Sequence, residues 1–193
     1  MMEVQKMILK KTNAVLGLLS SIAVVVHMVY NCFSYLTFYY NPTLKLVTSV
    51  PLMVLVCAHA ICGMCAVFLS GDGTRLDLYP QKNKKTIIQR ISAALIFPLL
   101  IVHLKTFEAL KNCAENGIWT GFAMLLVLQL LFYVIITVHM SISISKAYIT
   151  LGLLVDEKKV RLTDRIVCCV MTALLLVTSF AVVKGQLSMF VHI

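Results

Sequence analysis

The chain has 193 residues, of which 60% are hydrophobic and only 13% charged, and its mean hydropathy is +0.93. A soluble domain of this length carries roughly a quarter charged residues, so the composition excludes a water-soluble fold and indicates an integral membrane protein. A net charge of +9 suits nucleic acid as a first thought, but its placement assigns it to membrane topology.

Five apolar runs, at about 12–38, 44–70, 87–107, 119–145 and 166–190, each reach the ~20 residues that cross ~30 Å of hydrocarbon. They lack the alternation over ~10 residues that marks strands of a membrane barrel. The expected fold is all-α: five transmembrane helices, with a four-helix up-down bundle and a fifth helix beside it, in one membrane domain over residues 1–193.

The first run follows Lys10 and Lys11 as a signal peptide would. It continues well past 15 residues with no A-x-A site after it, so a retained first helix is expected. It carries His27, and near its outer end Tyr30, Asn31, Tyr35, Tyr39 and Tyr40. The tyrosines suit an interfacial aromatic belt, with a quinone contact from Tyr30 or Asn31 as the lesser alternative. The second run holds VCAHAICGMC, residues 56–65, with His59, Gly63 and a C-x-x-C pair. Covalent haem attachment needs C-x-x-C-H, and Ala66 follows Cys65. A structural zinc site wants two such pairs. The cysteines are therefore expected to pack as small apolar residues. The third run carries Pro98, an expected kink, then His103, with Glu108 just beyond. The fourth begins at Trp119, an interfacial anchor, and carries Thr137, His139, Ser143 and Lys146. The fifth holds Cys168 and Cys169, and His192 is read as a tail residue. Gly71, Gly73 and Pro80 break the first inner connection, and Asp156 to Lys159 mark the second as solvated.

Of the seventeen cations, thirteen fall on one side: Lys6, Lys10 and Lys11, then Arg75, Lys82, Lys84, Lys85 and Arg90, then Lys146, Lys158, Lys159, Arg161 and Arg165. Lys45, Lys105, Lys111 and Lys184 are on the other. This bias puts the N-terminus in the cytoplasm and the C-terminus outside, with a second use of the basic side as a docking face for a cytoplasmic partner.

Each of the first four runs contains one histidine. An ionisable side chain inside a membrane is costly and calls for a partner; a neutral histidine hydrogen-bonded between helices is the plain alternative. Depth distinguishes the two. Counted from the cytoplasmic ends at 1.5 Å per residue, His27 lies ~22 Å up and His103 ~24 Å, while His59 lies ~16 Å and His139 ~9 Å up. His27 and His103 form an outer layer, His59 and His139 an inner one. Two histidines facing across a bundle core can hold one haem iron axially, so two such layers suit two haems. Gly63 and Ser143, each one turn from a histidine, leave room for a macrocycle. Lys146, Arg90 and Arg75 are candidate partners for haem propionates, though each also serves as a boundary charge.

These residues resemble a family. IQRISAALIFPLLIVHL, ending near His103, looks like the third helix of the cytochrome b membrane subunit of succinate dehydrogenases and fumarate reductases. There a basic or polar start and Ser or Thr with Gly precede the haem histidine by about eleven residues; here Ser92 is present and Ala93 replaces the Gly. VHMSISISKAYITLGLL around His139 is similar to the family's fourth helix, and HAICGM at His59 to its second. The resemblance covers about residues 15–150 and implies the di-haem branch: two b haems with His27, His59, His103 and His139 as axial ligands. It further implies a prokaryotic cytoplasmic membrane, a flavoprotein subunit and an iron–sulfur subunit on the cytoplasmic side, and quinone or menaquinone as the electron-exchanging substrate. Dicarboxylate chemistry would sit on those partner subunits. Some relatives carry an intramembrane carboxylate for protons; this chain has Thr137 in that neighbourhood, and Glu108 is the remaining candidate proton acceptor from a quinol. The b-type cytochrome of another respiratory complex, such as a hydrogenase or formate dehydrogenase, and a non-haem transporter or assembly protein are the alternatives.

Overall fold

The computed structural model describes the backbone of residues 2–70 and 80–191 and the side chains of residues 4–68 and 84–191. Gly71, Gly73, Arg75 and His192 lie outside the described residues, as do the side chains of Pro80 and Lys82. Among the described residues all regular structure is helical: α1 (Met2–Thr37), α2 (Pro42–Ser70), α3 (Pro80–Glu115), α4 (Trp119–Thr150) and α5 (Glu157–Phe190). All five are long and apolar enough to cross a membrane.

The helices overrun the apolar runs. α1, α3 and α5 begin about two to three turns before them, and α3 continues to Glu115 through a segment that hydropathy assigns to a loop. Hydropathy reports the hydrocarbon layer, whereas backbone hydrogen bonding continues into the interface where lysines and glutamates are good helix formers. The turns are set by specific residues. Asn41 caps α2, its Oδ1 accepting from the amides of Thr43 (2.9 Å) and Leu44 (3.1 Å). Tyr30 fixes this turn by donating its hydroxyl to the Asn41 carbonyl at 2.8 Å. Asp156 caps α5, accepting from Lys158 N at 2.7 Å. Gly117 and Gly152 take φ of +67° and +77° in the last two turns, a region that costs other residues strain.

α1, α4 and α5 pack on one another at the centre; α2 lies on α1, and α3 lies on α4 with a slight contact to α5. Among the described residues α2 has no close backbone approach to α3, α4 or α5. The fifth helix is thus central rather than added beside a four-helix bundle. Its sequence explains this. Thr178, Ala181, Val182, Gly185 and Gln186 form one buried stripe at helical spacing, and Gly185 lets α1 in so closely that a Cβ there would stand 2.6 Å from Tyr35 Cδ1 and 2.9 Å from its carbonyl oxygen. Small residues at such crossings are what bring helices together in lipid. Tyr35, expected in the interfacial belt, instead packs on the core cluster of Phe132, Tyr133 and Val182. Around this centre the surface is apolar, with Phe68 at 85% and Phe180 at 64% exposure, as lipid contact requires.

Candidate functional site: two histidine pairs between the helices

α2 and α4 do not touch through their backbones, yet their histidines meet. The ring centres of His59 and His139 are 6.4 Å apart, with the ring planes at 66°. His59 Nδ1 lies 3.2 Å from the Asn13 carbonyl of α1. His139 Nδ1 lies 3.1 Å from the Gln89 carbonyl of α3 and 3.2 Å from Ser92 Oγ. A carbonyl only accepts, so each Nδ1 carries the proton and each Nε2 keeps its lone pair. Both carbonyls are followed one turn later by a small residue, Gly17 after Asn13 and Ala93 after Gln89, which leaves them uncovered on the helix surface. Gly17 has a further role: a Cβ there would lie 3.0 Å from His59 Cε1.

Three of the residues expected around this pair have other neighbours. Gly63 faces Asn13, whose Oδ1 would be 3.5 Å from a Cβ; the glycine against which an imidazole ring packs is Gly17. Ser143 does more than leave room: its Oγ is 3.3 Å from His139 Nε2 and accepts from Gln89 Nε2 at 2.8 Å. Lys146 donates to Thr86 Oγ1 at 2.8 Å and to Gln89 Oε1 at 2.9 Å, with Lys85 and Arg90 near enough to act on it electrostatically. Gln89 therefore touches His139 through its carbonyl and Ser143 and Lys146 through its amide. Its place in the segment before Ser92 is the only sequence signal for it, because its side-chain partners Ser143 and Lys146 both lie on α4.

His27 and His103 lie within electrostatic range of one another. Asn31, one turn beyond His27, places its amide 2.9 Å from His27 Nε2. An amide N–H donates, so the His27 proton sits on Nδ1, which is buried and without a partner among the described residues. The His103 ring packs on Phe132 and Tyr133 of α4, with ring centres 5.0 and 6.1 Å away, and its Nδ1 is likewise buried and unpartnered. Leaving such an atom unpaired costs about 1–3 kcal/mol and calls for an explanation. Asn13, Gly17, Ser20, Val24, His27 and Asn31 form a single stripe on α1, spaced 3–4 residues apart, and this stripe serves both layers. Ser20 Oγ and Thr137 Oγ1 are further buried hydroxyls with no partner among the described residues.

Glu108 lies apart from this. Its side chain is 73% exposed and 4.0 Å from Lys105, and five residues of helix turn it roughly 140° away from His103. Tyr30 serves the α1–α2 turn. All seven cysteines are free, Cys57 and Cys65 exposed and Cys62 half-buried. Among the described residues no group of three or more His, Cys, Asp or Glu side chains converges; an axial pair needs only two. The chain matches no family model, and no curated protein or solved structure is similar to it.

Proposed function

We propose that the chain is a membrane-anchor cytochrome b that holds two b haems, one between His59 and His139 and one between His27 and His103. It would pass electrons between a quinone/quinol pool and a cytoplasmic flavoprotein/iron–sulfur dehydrogenase or reductase of the succinate/fumarate type. The observation that carries this reading is the inner pair. A metal–imidazole bond of about 2.0–2.1 Å on each side sets two opposed ring centres roughly 6 Å apart, and the His59 and His139 centres are 6.4 Å apart. Both rings donate Nδ1–H to a backbone carbonyl, the arrangement that fixes a metal-binding histidine with Nε2 as the basic atom. Bound haem supplies reversible one-electron transfer.

The protein's own part is orientation. The Asn13 and Gln89 carbonyls hold the two tautomers, and Ser143 Oγ would have to leave Nε2 for that nitrogen to hold a metal. In the outer pair, His27 would ligate through Nε2 if Asn31 yields that atom, or through Nδ1 if its proton moves to Nε2 and Asn31 turns its amide oxygen toward it, and the unpartnered His103 Nδ1 leaves that ring free to take either tautomer. With the N-terminus cytoplasmic, the inner pair faces the iron–sulfur subunit and the outer pair faces the quinone side of a prokaryotic cytoplasmic membrane. A reduced-minus-oxidised spectrum of the purified protein tests this: a b-type α-band with a pyridine haemochrome near two haems per chain is expected. Absence of the band overturns the reading, and one haem per chain removes one of the pairs.

A further inference from the structure

At the cytoplasmic end of the molecule α1 and α4 part to leave a groove of about 230 Å³ lined by Lys6, Met7, Lys10, Lys11 and Thr150. Three of the five lining residues are lysines and none is acidic. Two other cations on this side sit against carboxylates: Lys85 on Asp164 at 2.8 Å and Arg161 by Glu157 at 3.9 Å. Lys10 and Lys11 have no such partner among the described residues. We propose that this groove binds the headgroup of an anionic phospholipid, its phosphate seated between the lysine ammonium groups and its acyl chains running outward along α1 and α4.

Depth and surroundings favour this occupant over the haem carboxylates. The His59 ring lies at the level of Gly17. Lys10 and Lys6 are seven and eleven residues below it, about 10 and 16 Å, and Thr150 is about 16 Å below His139 on α4. The groove is therefore at the membrane interface, beneath the histidine layer. Apolar side chains stand open among and beside the lysines, with Met7 52%, Ile8 56% and Ile149 45% exposed. A soluble acidic peptide has no use for that apolar surface, whereas a lipid covers it. Basic pockets between helices on the cytoplasmic side take acidic headgroups.

The test uses the full chain in neutral detergent, with phosphatidylglycerol and phosphatidylcholine of the same acyl chains as probes and lipid retention read by native mass spectrometry. Wild type is expected to retain phosphatidylglycerol at least tenfold more than phosphatidylcholine, and Lys10→Gln/Lys11→Gln to lose about tenfold or more of that preference. Lys158→Gln/Lys159→Gln is expected to keep it, and helix content by circular dichroism is expected to be unchanged in both. Equal retention of the two lipids by wild type, or undiminished preference in the Lys10/Lys11 variant, overturns the proposal. Displacement of the lipid by millimolar inorganic phosphate also overturns it, since a simple anion site would behave that way. So does loss of haem absorbance in the variant with lipid retention intact, which would assign the lysines to the cofactor. The proposal stands or falls independently of the haem reading, because retention is measured whether or not an α-band is present.

Discussion

At the scale of single residues, the proposed chemistry rests on how two imidazoles are held. His59 and His139 are expected to share one centre and His27 and His103 the other. His59→Ala and His139→Ala should each lower the haem content from two to one and abolish the same spectral component, with His27→Ala and His103→Ala abolishing the other; mutants that sort across these groups would break the pairing. The two glycines near the inner pair make a sharper contrast. At Gly17 a Cβ would press on the His59 ring at 3.0 Å, whereas at Gly63 it would find Asn13 at an ordinary 3.5 Å. Gly17→Val is expected to remove the inner component from the difference spectrum, and Gly63→Ala to leave it intact; a loss in Gly63→Ala alone would restore Gly63 as the residue that makes room for the ring. Gln89 touches His139, Ser143 and Lys146 together. Gln89→Leu keeps the carbonyl that holds Nδ1 but frees Ser143 and Lys146. It is expected to retain the inner haem and shift its midpoint potential alone, measured by redox titration.

At the scale of elements, the decisive contact is between α1 and α5. Tyr35 occupies the space a side chain at Gly185 would need, 2.6 Å from Cδ1 and 2.9 Å from the backbone oxygen. Backbone atoms cannot step aside as a side-chain end can, so the two helices would have to separate. Gly185→Ala is expected to destabilise the fold by about 1–3 kcal/mol, read as a lower melting temperature in detergent, while Gly152→Ala in the α4–α5 turn acts only through local strain. The buried amides deepen this junction: Gln186 Nε2 donates to Gln129 Oε1 at 2.9 Å, and Gln129 Nε2 to Tyr133 Oη at 2.7 Å. Polar side chains bridging helices in lipid contribute on the order of 1 kcal/mol each. α2 stands apart, without backbone contact to α3, α4 or α5 among the described residues, and only side chains connect it across the gap.

At the scale of the whole molecule, charge sets orientation. Thirteen cations against four predict that the 38–41 turn is outside and the 151–156 turn inside. With a membrane-impermeant maleimide on intact cells, Tyr40→Cys is expected to label at once and Val155→Cys only after permeabilisation; the reverse pattern would invert the topology. The sequence by itself determined the number of spans, their helical nature, their expected orientation, and the presence of one histidine on each of four helices. These are local properties, carried by composition, hydropathy and the rise per residue. It also gave the layers, since depth along a helix is a one-dimensional quantity. It did not reveal that α5 sits at the centre, that Tyr35 is a core residue, that Gly17, Asn13 and Gln89 contact the histidines, or that Gly63 faces Asn13. Those facts depend on rotation about each helix axis and on which helices adjoin. In a chain so uniformly apolar, hydropathy carries almost no signal for rotation, because lipid-facing and core-facing positions have the same chemistry. Only the packing of the five helices, through close approaches such as Gly185 on Tyr35, decides it.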